Sequence, residues 1–309
     1  MSDKIAIAIV GIGKIARDQH VPTIARSAEF TLTAAASPSS RLEGVRCFGS
    51  IEDMFAGVPE IDAVALCTTP QVRFEAARFA LSRGCHVLLE KPPGATLSEV
   101  QALIELAQRH GACLFAAWHS RYAAAVAPAR EWLHRRSVKA VAVTWKEDVR
   151  YWHPGQTWIW RAGGLGVFDP GINALSILTQ LLPDTIVLRD AELSYPTNCE
   201  TPIAARLNLT SANGIPISME LDFRHTGVAS WDIQVETDDG RLLLSRGGSV
   251  MRVDDGAEST AANDEYRGVY QHFSSLVRAH RIDADASPLR LVADAMLCGR
   301  RIDVEPFTE

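Results

Sequence analysis

The sequence predicts an α/β fold: an N-terminal doubly wound parallel sheet, followed by an α+β domain with a largely antiparallel open sheet. Three observations predict it. Short apolar runs alternate with amphipathic helical stretches through the first third of the chain, and a glycine-rich turn joins the first run to the first helix. Beyond residue 186, strand-like segments follow one another with no helix between them.

Taken in order, Ile5–Val10 is apolar and β-branched, and a helical pattern follows from Lys14. Phe30–Ala36 reads as the second strand, Ile61–Cys67 as the third, His86–Glu90 as the fourth and Leu114–Trp118 as the last. Between the third and fourth, Phe74, Ala77, Phe79 and Leu81 suit the buried side of a helix. Thr96–His110 is a further helix, with Thr96 as N-cap, Glu99 completing a capping box and Gly111 as the stop. Strands separated by helices imply parallel pairing through right-handed crossovers, because a parallel return needs a long connection.

Downstream, Val138–Val149 reads as a long strand, followed by an aromatic-rich loop and a helix from about Pro170 to Leu182. Strands are expected near 186–195, 202–211, 216–224, 230–237 and 240–246, with tight turns such as Asp239-Gly240. Helices near 266–281 and 287–301 finish the chain. The boundary is placed near residue 120, which divides a dinucleotide-binding domain (1–120) from a substrate domain (121–309).

Composition narrows the class. The 309 residues are 47% apolar and carry a net charge of -6, enough for a large core and without the basic footprint of a nucleic-acid binder. No apolar run approaches the roughly 20 residues that cross a bilayer. Met1-Ser2-Asp3-Lys4 leads straight into a strand and leaves no room for a signal peptide. The six cysteines lie far apart, which suits free thiols in a reducing cytoplasm better than disulfides or a zinc site, and no metal is expected.

Gly11-Ile12-Gly13-Lys14-Ile15-Ala16 follows the first strand and opens the first helix. The first glycine permits a tight turn, the second lets backbone N–H groups approach a pyrophosphate, and a small residue at 16 lets helix and strand pack closely. The spacing alone is weak; its strand-turn-helix context makes it a dinucleotide site. At the end of the second strand, Ser37-Pro38-Ser39-Ser40-Arg41 holds no acid before Glu43. An acid there would bind a ribose 2′-hydroxyl and repel a 2′-phosphate, whereas Ser37, Ser39 and Arg41 suit the phosphate. NADP is therefore expected, with NAD also accepted.

Three clusters suit chemistry. Glu90-Lys91-Pro92 ends a strand at the ligand-binding edge of such sheets, where an ammonium can stabilise charge on a substrate oxygen, although a lysine there is commonly just exposed. Asp169 and Asn173 stand four apart on one helix face. Asp169 followed by Pro170 also reads as an N-cap with proline at the first helical position, a role that would leave a weaker base. The third cluster, Trp145 to Trp160, holds four of the seven tryptophans among Glu147, Trp152 and His153. Aromatic faces interleaved with polar groups suit a sugar, which offers apolar C–H faces ringed by hydroxyls; packing accounts for part of the run. Trp118, His119 and Trp231 are expected to reach the same cleft between the domains.

Together these pieces resemble the glucose-fructose oxidoreductase and inositol dehydrogenase (Gfo/Idh/MocA) family. The resemblance runs through Gly11–Ala16, Thr68-Thr69-Pro70, Gly84–Pro92 and Gly163–Asn173. More narrowly, the segments beginning at Trp145, Trp152, Val167 and Pro288 are similar to the family's bacterial L-arabinose/D-galactose 1-dehydrogenases. The resemblance implies a Rossmann domain, NAD(P)-dependent oxidation of the anomeric carbon of an aldose, and Lys91, Asp169 and Asn173 as the catalytic group. Thr68, Thr69, Pro70, Glu90 and Lys91 join the expected cofactor contacts, and the aromatic cluster with its flanking groups makes His119, Glu147, Trp152, His153 and Trp231 the expected sugar contacts. The resemblance also implies a homo-oligomer formed through the C-terminal sheet. Many members carry His where this chain has Asn173, whose amide cannot titrate, so proton removal falls to Asp169 or Lys91. A reductase of another small molecule (an inositol, a diol, an imine) and a dinucleotide sensor without turnover are the alternatives; the sensor has no need of Lys91, Asp169 and Asn173 together.

Overall fold

The computed structural model describes residues 4–262 and 264–308, so the expectation for Met1-Ser2-Asp3 lies outside the described residues. The chain divides into two compact units. One comprises the residues through His119 together with Tyr266–Ala286, the other Ser120–Glu265 with Ser287–Glu309. The chain thus crosses between units three times, where a single boundary near 120 provides for one crossing. Residues 266–286, expected in the second domain, belong to the first.

In the first unit, β1 (Ile5–Val10) runs into a helical segment from Lys14 that continues as α1 (Val21–Arg26). Then come β2 (Phe30–Ala36), β3 (Arg46–Phe48), α2 (Ile51–Gly57), β4 (Ala63–Leu66), α3 (Arg73–Leu81), β5 (His86–Glu90), α4 (Leu97–His110) and β6 (Leu114–Ala117). The six strands are parallel, in the order β3-β2-β1-β4-β5-β6. Alternate residues point to opposite faces of a strand. Ala8, Val10, Val64, Leu66, Val87 and Leu89 therefore enter one core with Met54, Ala77, Leu81, Leu103 and Ala107 from α2, α3 and α4. Both faces are covered, which is why these strands read as continuous apolar runs. Thr96 caps α4 by accepting from the Glu99 N–H at 3.1 Å, while the Glu99 carboxylate accepts from the Ala95 N–H at 2.8 Å. Gly111 ends the helix at φ +62°. In α3 the inward face is Arg73, Ala77, Ala80 and Leu81; the expected Phe79 stands at the core margin, edge-on to Phe55.

The second unit contains α5 (Val126–Leu133), β7 (Val138–Lys146), the short α6 (Val149–Trp152), α7 (Phe168–Leu181), β8 (Ile186–Pro196), β9 (Ala204–Ser211) and β10 (Pro216–Asp222). β11 (Ser230–Thr237), β12 (Gly240–Ser245), β13 (Val250–Val253) and β14 (Ser259–Thr260) complete its hairpins. Next, α8 (Glu265–Ala279) returns to the first unit, before α9 (Ser287–Cys298) and β15 (Arg300–Val304) close the second. Its nine strands run β14-β13-β12-β11-β7-β10-β9-β8-β15, antiparallel except at β7/β10 and β8/β15. One face buries Val141, Val143, Ile217, Met219 and Leu221, and α7 lies close on it: a Cβ on Gly171 would come 2.6 Å from Leu221. Lys146 and Glu220 pair across neighbouring strands at 2.6 Å, with Arg206 nearby at 3.7 Å. The half-covered sheet explains the apolar-polar alternation that made it legible.

Back in the first unit, α8 lays an apolar stripe on the sheet. Phe273 stacks on Phe30 and Phe115 with ring centres 5.8 and 6.1 Å apart, and Tyr270 meets Phe30 edge-on at 5.3 Å. Trp118, expected in the substrate cleft, is instead core: it is buried and its indole N–H donates to the Asp285 carbonyl at 2.8 Å.

Candidate active site

In the first unit, the loops after β1, β2, β4 and β5 emerge from the same edge of the parallel sheet. The order β2-β1-β4 places the change of direction between β1 and β4, where such sheets bind ligands. Gly11 turns at φ +92°, and a Cβ there would lie 2.7 Å from the Thr68 nitrogen. A Cβ on Gly13 would meet nothing within 4 Å, so the backbone here is open to a ligand. Ala16 is fully buried, as close helix–strand packing requires, and Ile12 is buried as well. Beside this cradle, the Thr68 hydroxyl is buried with no hydrogen-bond partner. An open glycine turn at a helix start, next to an unpartnered hydroxyl, fits a dinucleotide pyrophosphate. Gly11→Ala is expected to weaken dinucleotide binding at least tenfold, because a left-handed backbone and a collision with backbone coincide at one atom. Fluorescence titration with NADPH checks this, and unchanged affinity would place the pyrophosphate elsewhere.

Around that cradle the predicted residues behave differently. The Lys14 ammonium pairs with Asp18 on the exposed side of the helix. Ser37 is buried, and its hydroxyl accepts from the Ser40 N–H at 3.3 Å. Arg41 curls back onto its own loop, donating to the Ser37 and Ser40 carbonyls at 2.8 Å each, and Ser39 is exposed. Arg17, which the sequence reading missed, donates to the Arg41 carbonyl at 2.8 Å and so adds a second guanidinium at the end of β2.

The Lys91 loop rests on buried charge. The Glu90 carboxylate, expected among the cofactor contacts, is buried, with His20 Nε2 at 2.9 Å and the Tyr266 hydroxyl donating at 2.6 Å. It also accepts from the Lys91 N–H at 3.1 Å. Tyr270 sits 2.8 Å from the other His20 nitrogen. Burial by itself would push the Glu90 carboxyl up, but the His20 hydrogen bond and charge, with help from His119 and Tyr266, hold it down at about 2. Burial likewise opposes charge on His20, yet Cys67, Tyr270 and Glu90 together raise it well above 6.5, and it pairs with Glu90 at 2.9 Å. Arg73, 2% exposed, donates to the carbonyls of Thr68, Glu90 and Pro92 and joins the loops after β4 and β5. Burial lowers it to about 10, which leaves it protonated at neutral pH. Lys91 follows Glu90 half-buried, and the Lys91–Pro92 bond is cis. His119 stacks on Tyr266 with ring centres 5.6 Å apart.

The second unit gathers its own group. The loop after β7 is fixed by backbone bonds from Glu147 to Asp222 and from Val149 to Phe223, both 3.0 Å, and Asp148 caps α6. Glu147 is buried; one carboxylate oxygen accepts from the Trp231 indole N–H at 2.7 Å and the other lies 3.2 Å from His153 Nε2. The other His153 nitrogen faces Asp169 at 3.6 Å. Asp169 is 5% exposed, and Asn173 is half-buried one turn further along. The expected N-cap role of Asp169 is not what forms. The helix starts at Phe168 with Val167 in the cap position, so Asp169 lies inside the first turn. Gly166, at φ +53° and closely packed against Pro202, turns the chain there and brings the helix start forward. Trp152 is 42% exposed and meets Trp231 edge-on at 4.9 Å, whereas Trp145 belongs to the core. Glu147, Trp152, His153, Asp169 and Trp231 thus form one connected group in the second unit. Among the described residues, no group of three or more His, Cys, Asp or Glu is placed to hold a metal ion.

Known proteins carry similar sequences and folds. The family model for an oxidoreductase family with an NAD-binding Rossmann fold matches residues 5–118. Galactose 1-dehydrogenase of Pseudomonas fluorescens is 44% identical over 98% of this chain and 98% of its own length. The crystal structure of D-galactose-1-dehydrogenase from Rhizobium etli matches with a TM-score of 0.97 at 51% identity, covering 100% of this chain and 99% of that one. A 3-ketoreductase from Actinomadura kijaniata, solved with NADP and TDP-benzene, shares the fold at 16% identity with a TM-score of 0.84, covering 98% of this chain and 100% of that one.

Proposed function

The chain belongs to this oxidoreductase family, and on that basis we propose that it oxidises the anomeric carbon of a free aldose, D-galactose or L-arabinose, to the aldonolactone with NADP as the preferred acceptor. The observation that carries the reading is Asp169: a buried carboxylate in the first turn of α7, one turn before Asn173 and 3.6 Å from His153 Nδ1. Similarity to two galactose 1-dehydrogenases over nearly the whole chain supports the substrate class.

When bound, the nicotinamide supplies the acceptor for a hydride. The chain's own residues handle orientation and the proton. Asp169 takes the proton of the C1 hydroxyl, the Lys91 ammonium stabilises the charge growing on that oxygen, and the Asn173 amide holds a neighbouring hydroxyl. Trp152 and Trp231 offer apolar faces to the C–H side of the pyranose, while His119 and Glu147 take hydroxyls. L-arabinose and D-galactose share configuration at C2, C3 and C4 and differ by a hydroxymethyl group at C5, so one pocket serves both. Mixing the protein with NADP⁺ and a panel of aldoses, with NADPH absorbance as the readout, tests the proposal; turnover confined to inositols, diols or imines would overturn it.

For the cofactor, two guanidiniums and two serines at the end of β2, with no acid before Glu43, support NADP. Ser37→Asp is expected to move the NADP/NAD preference toward NAD by on the order of tenfold or more, since like charges meet at the 2′-phosphate. An unchanged kcat/KM ratio would show that the phosphate is read elsewhere. The charged open face of the nine-stranded sheet is the surface we assign to self-association, which light scattering checks.

A further inference from the structure

We propose that Asp169, His153 and Glu147 form a proton relay, in which His153 Nδ1 receives from Asp169 the proton taken from the sugar hydroxyl. The inference rests on the reading of Asp169 as the base and gives His153 a different duty from sugar binding.

The geometry leads there in steps. The His153 side chain is 16% exposed, with its ring centre 5.4 Å from that of Phe223. Its Nε2 lies 3.2 Å from Glu147, and an ionised carboxylate only accepts, so Nε2 carries a hydrogen. Glu147 is fixed in turn by the Trp231 N–H at 2.7 Å. In the neutral ring, Nδ1 is then a bare acceptor. It is buried, has no hydrogen-bond partner, and faces Asp169 Oδ2 at 3.6 Å. That separation is too long for a hydrogen bond, as befits two acceptors facing each other with no proton between them. Both ring nitrogens are directed at carboxylates, which leaves neither for a substrate hydroxyl.

A proton arriving on Asp169 completes the pair. The O–H bond at C1 breaks and its proton bonds to Asp169 Oδ2. That O–H then breaks as Nδ1–H forms, giving an imidazolium between two carboxylates and restoring Asp169. The C–H electron pair leaves with the hydride for the oxidised nicotinamide, C1 becomes the lactone carbonyl, and the ring later releases the proton to water. His153 is in these terms a positioning and relay residue that acts through Asp169. Asn173, an amide, takes no part in the transfer.

Two measurements test the relay. In the protein without sugar or cofactor, ¹⁵N NMR of His153 is expected to show the Nε2–H tautomer, with Nδ1 bare. Glu147 and Asp169 are charged groups that face the ring, one at each nitrogen. Asp169→Asn places an amide, which can donate, where the carboxylate only accepts, and is expected to move the Nδ1 resonance; an unmoved resonance overturns the relay whatever the substrate. In kinetics, His153→Gln keeps a donor toward Glu147 but lacks Nδ1. It is expected to lower kcat at least tenfold, with the sugar KM within about threefold and partial rescue by added imidazole. A loss carried by KM with no rescue returns His153 to sugar binding. Failure of the wild-type protein to oxidise any aldose would sink the proposed function, while the NMR result would still decide the coupling.

Discussion

Asp169→Ala is expected to lower kcat by about 10²–10⁴-fold, the usual effect of losing a general base, with dinucleotide affinity unchanged. Two structural facts sharpen this expectation. Asp169 lies in the second unit, whereas the glycine cradle and the β2 loop lie in the first. Because Val167 holds the cap position, removing Asp169 does not uncap α7. Steady-state kinetics with NADPH titration and circular dichroism separate these effects. Near-normal kcat would reduce Asp169 to an acid at the positive end of a helix, worth a few tenths of a kcal/mol to about 1 kcal/mol and nothing to the chemistry.

Glu90→Ala is expected to destabilise the fold strongly. It strips the fully buried His20 of its carboxylate, so the ring must either give up its proton or remain charged without a partner, and breaking a buried pair from one side typically costs about 3–5 kcal/mol. Urea denaturation reads this directly, and a loss below about 1 kcal/mol would show that the pair contributes little. Replacing Glu90 and His20 together with apolar residues should recover much of the loss, since the desolvation of both charges disappears with them. The pH dependence has a definite sign. Glu90 is held at about 2 in the fold against an ordinary 4.5, so its contribution is complete above 4.5 and is lost as pH falls toward 2. His20, raised above 6.5, runs the other way: its contribution is complete below 6.5 and is lost as pH rises through its folded value. The pair is strongest between those limits, and Glu90→Ala should flatten the acid limb of the stability curve.

How much of this was legible depends on whether the signal was local. The parallel strands stood out because both faces are buried, and the α4 termini because Thr96, Glu99 and Gly111 act within one turn of each end. Strands β3, β13, β14 and β15 were missed because they lie at or beside sheet edges and are largely exposed, so they lack the apolar run that marks the equally short β4, β5 and β6. Asp169-Pro170 misled because the cap pattern is local, while the helix start is set by a turn packed against Pro202, more than thirty residues on. Arg73 carried no usable mark: arginine in a first helical turn ordinarily points to water, and only the assembled sheet edge surrounds it with three carbonyls. The ion pair under Lys91 joins His20, Glu90, Tyr266 and Tyr270, separated by as many as 250 residues, so no window of sequence contains it. Glu147, Trp152 and His153 could be put forward as a group because tryptophans and charged residues crowd into one stretch of sequence.

Since helix α8 is borrowed from late in the chain, the dinucleotide half of the molecule cannot be excised as a continuous fragment. A polypeptide ending at residue 120 would leave Phe30, Phe115 and the His20–Glu90 pair open to solvent on one side of the sheet. During synthesis, the earliest-made portion must therefore wait for more than a hundred further residues before its packing can be completed. Folding and cofactor capture are in that sense late events, tied to near-completion of the whole polypeptide.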